Sequence, residues 1–279
     1  MIQQRGLIAL DIDGTITAVR DHLPPAVKLC IQELARSGWT LFFVTGRTLP
    51  WSRHLLESLD VPFYLAVQNG ALLLKMPEQQ ILYKQFLSRS CLAGIINIAS
   101  SLNTGFVIYS GQEHTYYFPH LFSDEKLSYF LSRSKLSSEI CIPLKDISEV
   151  PLDEFGSIRF FEEYDKAMLI SNRIEEELEL SAPITFDSFN PHLRVVQATK
   201  GNVTKGRALN ELQRAVSLTG PVVACGNDHN DISMLECADL RVVMQDAPVD
   251  VLALADIIAP PAAELGIISA LREVQKRYR

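Results

Sequence analysis

No run of apolar residues in this chain approaches the ~18 needed to cross a bilayer, which argues against a membrane-spanning protein. Cysteine is sparse: Cys30, Cys91, Cys141, Cys225 and Cys237 are scattered, odd in number and never spaced as C-x-x-C. That pattern excludes a disulfide framework and a zinc ribbon, and leaves structural thiols of a reducing compartment. Basic excess is also missing, with 26 Lys and Arg against 33 Asp and Glu and a net charge of −7. The basic stripe of a nucleic-acid binder is therefore not expected. The N-terminus runs through Gln3, Gln4 and Arg5 straight into a strand-like segment with two aspartates, unlike a secretory signal. The expectation is a cytoplasmic protein, monomer or homodimer, whose partner is a small molecule rather than nucleic acid or membrane. Asn202-Val203-Thr204 forms a glycosylation sequon, read as fortuitous in that setting. There is no internal repeat and no low-complexity segment.

What is present suits a folded α/β protein: 279 residues, 47% apolar and 21% charged, enough for one large domain or two modest ones. Gly6–Asp11 is a short apolar run ending in carboxylates, as buried parallel strands do. Pro24 and Pro25 open a helical pattern carrying Val27, Ile31, Leu34 and Ala35 and stopped by Gly38. A strand at Trp39–Val44, a helix through Trp51–Leu59 and a strand at Phe63–Val67 follow. This alternation implies βαβ units and a parallel sheet. It breaks after Asn69-Gly70. Ala71–Leu74 and Gln80–Tyr83 flank Met76-Pro77-Glu78 as a hairpin. Strand-like pieces (Gly105–Tyr109, Thr115–Phe118, Ser157–Phe161) then mix with helical ones (Ser88–Ser101, Glu163–Leu178). Alternation is expected to resume near Leu193–Val196, then a helix opened by Thr204, strands at Pro221–Ala224 and Leu240–Met244 around a helix from Asp228, and a final helix near Leu265–Tyr278. The layout is a discontinuous parallel-sheet core, residues 1–80 plus 188–279, with an α+β domain, residues 81–187, inserted.

Ligands of open α/β sheets bind outside the carboxyl ends of the strands. Three core strands end there in polar sequence: Asp11 and Asp13 after the first, Thr45 after the second, and Asn227, Asp228, Asn230 and Asp231 after a later one. Lys205 stands at a helix start. A carboxylate approaching a phosphate dianion is repelled, by about 4 kcal/mol per pair of unit charges ~4 Å apart at an effective dielectric near 20. Magnesium between them reverses the sign and takes oxygen ligands. Asp11 and the Asp231 cluster offer such ligands. An attacking carboxylate makes an acyl phosphate, and a second carboxyl two residues along handles the protons. Period-two alternation keeps Asp11 and Asp13 on one side, and Gly14 lets the chain turn. Thr45 would donate to a phosphoryl oxygen, and Lys205 would offset the developing charge.

Each piece has a plainer reading. A calcium loop is excluded, because Gly14 is fourth and His22 twelfth where the loop needs a sixth glycine and a final Glu. Alone, Thr45 is a turn residue, Lys205 a surface lysine, and Asn227–Asp231 a loop leading into a helix cap. Their joint occurrence in order, each at a strand end or helix start, favours the functional reading.

Together these residues resemble the haloacid dehalogenase superfamily, specifically its Cof-like phosphatases with a large α/β cap. The resemblance spans the chain in four segments. Asp11-Ile12-Asp13-Gly14-Thr15 matches the nucleophile segment, which implies Asp11 as nucleophile and Asp13 as acid/base, with the Asp13 carbonyl on Mg2+. Val44-Thr45-Gly46-Arg47 matches the phosphate-holding segment, and Gln68-Asn69-Gly70-Ala71 the cap-junction segment, where Asn69 faces substrate. Lys200-Gly201 and Lys205-Gly206 both begin like the third; only Lys205 runs into an amphipathic helix, so Lys205 is assigned. The fourth departs: Gly226-Asn227-Asp228-His229-Asn230-Asp231 carries Asn227 where the family places a magnesium carboxylate. Lower metal affinity follows, or Asp228 swings in, or Asp231 carries more of the charge. His229 is left aside, imidazole being a poor magnesium ligand. The implied set is Asp11, Asp13, Thr45 and Lys205 for catalysis, Gly46, Arg47, Asn69 and Asn230 for substrate, and Asp11, Asp13, Asn227 and Asp231 for metal. The implied activity is magnesium-dependent hydrolysis of a small phosphate monoester, a sugar phosphate above others. The alternatives are a phosphomutase and, because of Asn227, a catalytically weak phosphate-binding regulator.

Overall fold

A computed structural model describes residues 4–19, 22–119, 124–136, 139–187, 190 and 192–278. In chain order the elements begin with β1 (Gly6–Leu10), α1 (Pro25–Arg36), β2 (Trp39–Val44), α2 (Leu49–Leu56), β3 (Phe63–Val67), β4 (Leu72–Met76) and β5 (Gln80–Lys84). There follow β6 (Leu87–Ser88), α3 (Leu92–Ser101), β7 (Val107–Tyr109), β8 (Thr115–Pro119), α4 (Asp124–Leu136) and β9 (Ile140–Leu144). Then come β10 (Glu154–Phe155), β11 (Ser157–Glu162), α5 (Tyr164–Leu178), β12 (Ile184–Phe186) and β13 (Arg194–Ala198). The chain finishes with α6 (Lys205–Val216), β14 (Val222–Gly226), α7 (Ile232–Leu235), β15 (Leu240–Met244), α8 (Val249–Leu252), β16 (Ile257–Ala259) and α9 (Ile267–Arg277).

Two compact units result. One takes residues up to Arg47, Trp51–Lys84 and everything from Thr204 on; the other takes Thr48–Pro50 and Gln85–Val203. The first is built on an eight-stranded sheet in the order β16-β15-β14-β1-β2-β3-β4-β5. The six strands from β16 to β3 are parallel, and β4 and β5 close one edge as an antiparallel hairpin. β1 and β14 are buried at every position, as strands covered on both faces must be. Leu7, Ala9, Phe42, Val44, Ala224 and Val243 share one core with Leu209 and Leu212 of α6. The order runs outward from β1 in both directions, to β2 on one side and β14 on the other. The carboxyl end of β1 is thus the switch point where open sheets form a crevice.

The second unit has a six-stranded sheet, β12-β13-β11-β7-β8-β9, antiparallel apart from the β8–β9 pair. Its larger core gathers Ile95, Ile98, Phe106, Ile158, Phe160, Ile170 and Val196. α3 and α5 line that face. An aromatic set with Tyr109, Tyr116, Phe118, Phe130 and Phe161 covers the other.

The α/β class with an inserted α+β unit is as expected. Two placements differ. Leu193–Val196, expected in the parallel core, lies in β13, which pairs antiparallel with β11 (Phe160↔Val196) in the second sheet. The expected division at 80/81 and 187/188 accordingly falls at 84/85 and 203/204. The reason is pairing: β5 completes the hairpin on β4, and β13 is hydrogen-bonded on both sides by strands of the second sheet. Among the described residues no helix is long and apolar enough to cross a membrane. All five cysteines are free thiols.

The return to the first unit is fixed by Thr204, the residue that completes the sequon. Its hydroxyl accepts the Arg207 N–H at 3.1 Å and caps α6. Thr204→Ala is expected to cost about 1 kcal/mol, read as a lower midpoint in urea unfolding.

Candidate active site

The side chains singled out from sequence meet at the carboxyl ends of β1, β2 and β14. Asp11 follows β1 directly and is buried, as are Lys205 and Asp231. The Lys205 ammonium bridges the two carboxylates, with Nζ 2.5 Å from Asp11 Oδ1 and 2.6 Å from Asp231 Oδ1. Helix α6 delivers it by close approach: a Cβ on Gly206 would lie 2.0 Å from the Ser233 carbonyl oxygen. Only glycine allows the first turn of α6 to touch that segment. Gly206→Ala is expected to cost on the order of 2 kcal/mol through overpacking, measured by chemical denaturation. Lys200, the rejected alternative, is exposed and belongs to the second unit.

Asp231 has both oxygens engaged. Oδ1 takes Lys205, and Oδ2 accepts the backbone N–H groups of Asn227 at 2.9 Å and Asp228 at 3.0 Å. The Asp228 side chain in turn accepts the His229 N–H at 2.7 Å and also the Asp231 N–H, which with the Asp228 N–H on Asp231 makes a capping box. The helix-cap reading and the functional reading of this loop therefore describe the same carboxylate. Asp228 is occupied as a cap. His229 is exposed and faces Asp228 at 3.3 Å and Asp250 at 3.1 Å, outside the Asp11–Lys205–Asp231 set.

Burial pushes the Asp11 carboxyl up to about 8, Asp231 adds to the rise, and Lys205 opposes it. Burial would lower the Lys205 ammonium, yet Asp11 and Asp231 carry it above its ordinary value. The lysine is thus held charged.

Asp13 lies half-exposed and is gripped by Arg47, with Nε 2.8 Å from Oδ2 and Nη2 2.6 Å from Oδ1. The sequence assigns Arg47 only as a substrate contact, and nothing in the spacing of residues 13 and 47 signals this fork. Thr45 is buried, and its hydroxyl accepts the Arg47 N–H at 3.1 Å, tightening the turn through Gly46. Asn69 is buried in left-handed backbone (φ 57°), between Gln68 (φ 54°) and Gly70 (φ 105°). Its Oδ1 accepts from Asn230 Nδ2 at 3.1 Å, joining the cap-junction segment to the loop after β14.

Asn227 reaches across to the first segment. Oriented so that its donors meet acceptors, Nδ2 lies 2.9 Å from the Asp13 carbonyl oxygen, 3.1 Å from Asp11 Oδ2 and 3.2 Å from Thr15 Oγ1. Gly14 makes room at φ +79°, since a Cβ there would come within 2.3 Å of the Asn227 amide. Thr15 had no role assigned from sequence, although it stands within the motif. Among the described residues no three His, Cys, Asp or Glu side chains are grouped as a metal site. Asp11 Oδ2 and the Asp13 carbonyl oxygen nevertheless both face the Asn227 side-chain amide, and hard oxygen donors of this type suit magnesium.

A family model for haloacid dehalogenase-like hydrolases matches residues 8–271. The chain belongs to this family. It is similar to the HMP-PP phosphatase of Cronobacter sakazakii, at 24% identity over 246 residues, 88% of this chain and 86% of the relative. Among solved structures, a haloacid dehalogenase-like hydrolase of B. subtilis superposes with a TM-score of 0.78 at 22% identity, covering 96% of this chain and 99% of that one. A subclass IIB sugar phosphatase superposes with a TM-score of 0.75 at 19% identity, covering 97% and 99%. At these identities the structural likeness is one of fold. The four segments singled out from sequence all fall within the matched residues.

Proposed function

We propose that the hydrolase cleaves a small phosphate monoester by way of an aspartyl phosphate on Asp11. The observation that carries this reading is Lys205 Nζ, 2.5 Å from Asp11 Oδ1 and 2.6 Å from Asp231 Oδ1 at the switch point of the sheet. Such an ammonium aims the Asp11 carboxylate and offsets charge that grows during phosphoryl transfer. Asp11 attacks phosphorus, the bond from phosphorus to the leaving oxygen breaks, and Asp13 gives that oxygen a proton. Water then attacks the acyl phosphate, Asp13 takes its proton, and inorganic phosphate leaves as the Asp11 carboxylate is regenerated.

Asp11, the Asp13 carbonyl and Asn227 would hold a magnesium ion, with Asp231 supplying charge behind them. Bound there, the ion supplies Lewis-acid polarisation of the phosphoryl group. Thr45, Gly46, Asn69 and Asn230 are assigned to the phosphate and its ester. Arg47 grips both oxygens of Asp13 in the free protein. An arriving phosphate offers the guanidinium a competing partner and frees Asp13 for proton transfer. Arg47→Lys, which keeps the charge but loses the fork, is expected to lower kcat/KM on the order of ten-fold.

A phosphorylated sugar is the proposed substrate, in line with the sugar phosphatase of the same fold. The test is inorganic phosphate release from an aryl phosphate and a set of hexose phosphates, with magnesium and with EDTA. Magnesium-dependent release, with free sugar rather than an isomeric phosphate as product, supports the proposal. No release overturns it in favour of a phosphate-binding regulator, a reading that the amide at residue 227 favours. An isomeric sugar phosphate identifies a phosphomutase.

A further inference from the structure

The Asn227 side chain occupies a telling position. One end of its amide stands 2.9 Å from the Asp13 carbonyl oxygen and 3.1 Å from Asp11 Oδ2, the two oxygens assigned above to magnesium, and hydrogen bonding without a metal requires that end to be Nδ2. An aspartate at 227 would present oxygen to oxygen there, an arrangement that needs a metal cation or a proton between them. The amide presents hydrogens instead. Gly14, at φ +79° with no Cβ to meet the amide at 2.3 Å, leaves space for this contact. The Asn227 backbone is anchored as well, its N–H held by Asp231 Oδ2 at 2.9 Å.

We propose that Asn227 is a built-in stand-in for the metal: its amide bridges Asp11 and Asp13 in the metal-free protein and turns over to ligate through Oδ1 when magnesium binds. The inference rests on the magnesium reading given above and adds a positioning role for this one side chain. Half a turn about Cβ–Cγ exchanges Nδ2 for Oδ1, so one residue serves both states without moving its backbone. The amide satisfies the oxygens of Asp11 and Asp13 that would otherwise be left facing each other. It also competes with the cation for them. The site is thereby stable when empty and modest in metal affinity. An aspartate reverses both properties, because it places a third carboxyl group around the single Lys205 ammonium.

The test compares wild type, Asn227→Asp and Asn227→Ser by thermal melting in EDTA and across a magnesium titration. A second arm follows the side-chain amide resonances of 15N-labelled wild type. In EDTA, Asn227→Asp is expected to melt several degrees below wild type; with magnesium it gains more than wild type does and binds at least ten-fold more tightly. The Asn227 amide pair, identified by its absence from Asn227→Ser, shifts as magnesium saturates. An Asn227→Asp protein as stable as wild type in EDTA overturns the proposal, as does an amide pair that saturating magnesium leaves in place. If magnesium binds neither wild type nor Asn227→Asp, the magnesium reading fails. The metal-free melting difference still judges the amide bridge by itself.

Discussion

Lys205→Met is expected to lower the melting temperature by about 10 °C and to abolish turnover. The side chain is 1% exposed and lies between two carboxylates that are themselves buried. Removing one partner of a buried ion pair costs roughly 3–5 kcal/mol, because the remaining charges keep their desolvation penalty without its compensation. For a unit of this size each kcal/mol moves the midpoint by roughly 2–4 °C. The damage should be repairable. Adding Asp231→Asn to Lys205→Met removes the second carboxylate, keeps an acceptor for the backbone N–H groups of Asn227 and Asp228, and is expected to recover most of the lost stability. Activity should stay absent, since nothing then aims Asp11. Differential scanning calorimetry on the three proteins checks this; a Lys205→Met protein that melts with wild type would show the buried triad to be energetically idle.

Asp11→Asn is the second large effect, and stability and activity should move apart. The amide is nearly the shape of the carboxyl and keeps Oδ1 as an acceptor for Lys205. It cannot attack phosphorus, so kcat is expected to fall at least ~10^4-fold, the scale on which loss of a nucleophile registers. Burial and the Asp231 carboxylate both work against an ionised Asp11. A neutral residue of the same shape relieves that opposition, but its Nδ2 replaces the acceptor that the Asn227 amide meets at 3.1 Å, so the two effects oppose and the variant should melt within about 4 °C of wild type in EDTA. Aryl phosphate turnover and a melting curve on one preparation decide it. Turnover equal to wild type would remove Asp11 from the chemistry.

The sequence was most readable where local pattern and global fold agree. β1, β2, β3 and β14 are short apolar runs bounded by turn residues, and all fall where their composition put them. Lys205 was separable from Lys200 because only one begins an amphipathic helix, and its burial follows from the Gly206 contact. Leu193–Val196 shows the limit. A short apolar run has no period of its own, so β13 reads alike as a parallel core strand or an antiparallel neighbour of β11; the partner decides, and the partner is distant in sequence. α4 and β9 escaped notice for a related reason, since Ser-rich helix residues and a strand exposed at Ile140 carry no clear apolar face. Within the site, residue types indicated which segments mattered, but not which side chains touch. The Arg47–Asp13 fork and the Asn227 bridge are each set by angles between loops, and no spacing along the chain encodes those. The capping box explains why Asp228 and Asp231 looked ambiguous: one loop caps a helix with the same aspartate that steadies the lysine.

The insertion of the second unit also sets a timetable. β1 pairs in parallel with β14, Leu7 beside Val222, so the centre of the first sheet joins segments from either side of the insertion. During translation at ~5–20 residues per second, β1 waits roughly 10–40 s for its neighbour. In that interval Gln85–Val203 leaves the ribosome as one continuous stretch, with its own sheet and core. The nascent chain thus carries an apolar strand with β2 available on one edge and no partner yet made for the other. Asp11 and Lys205, separated by the whole insertion, first meet only after that insertion has been made.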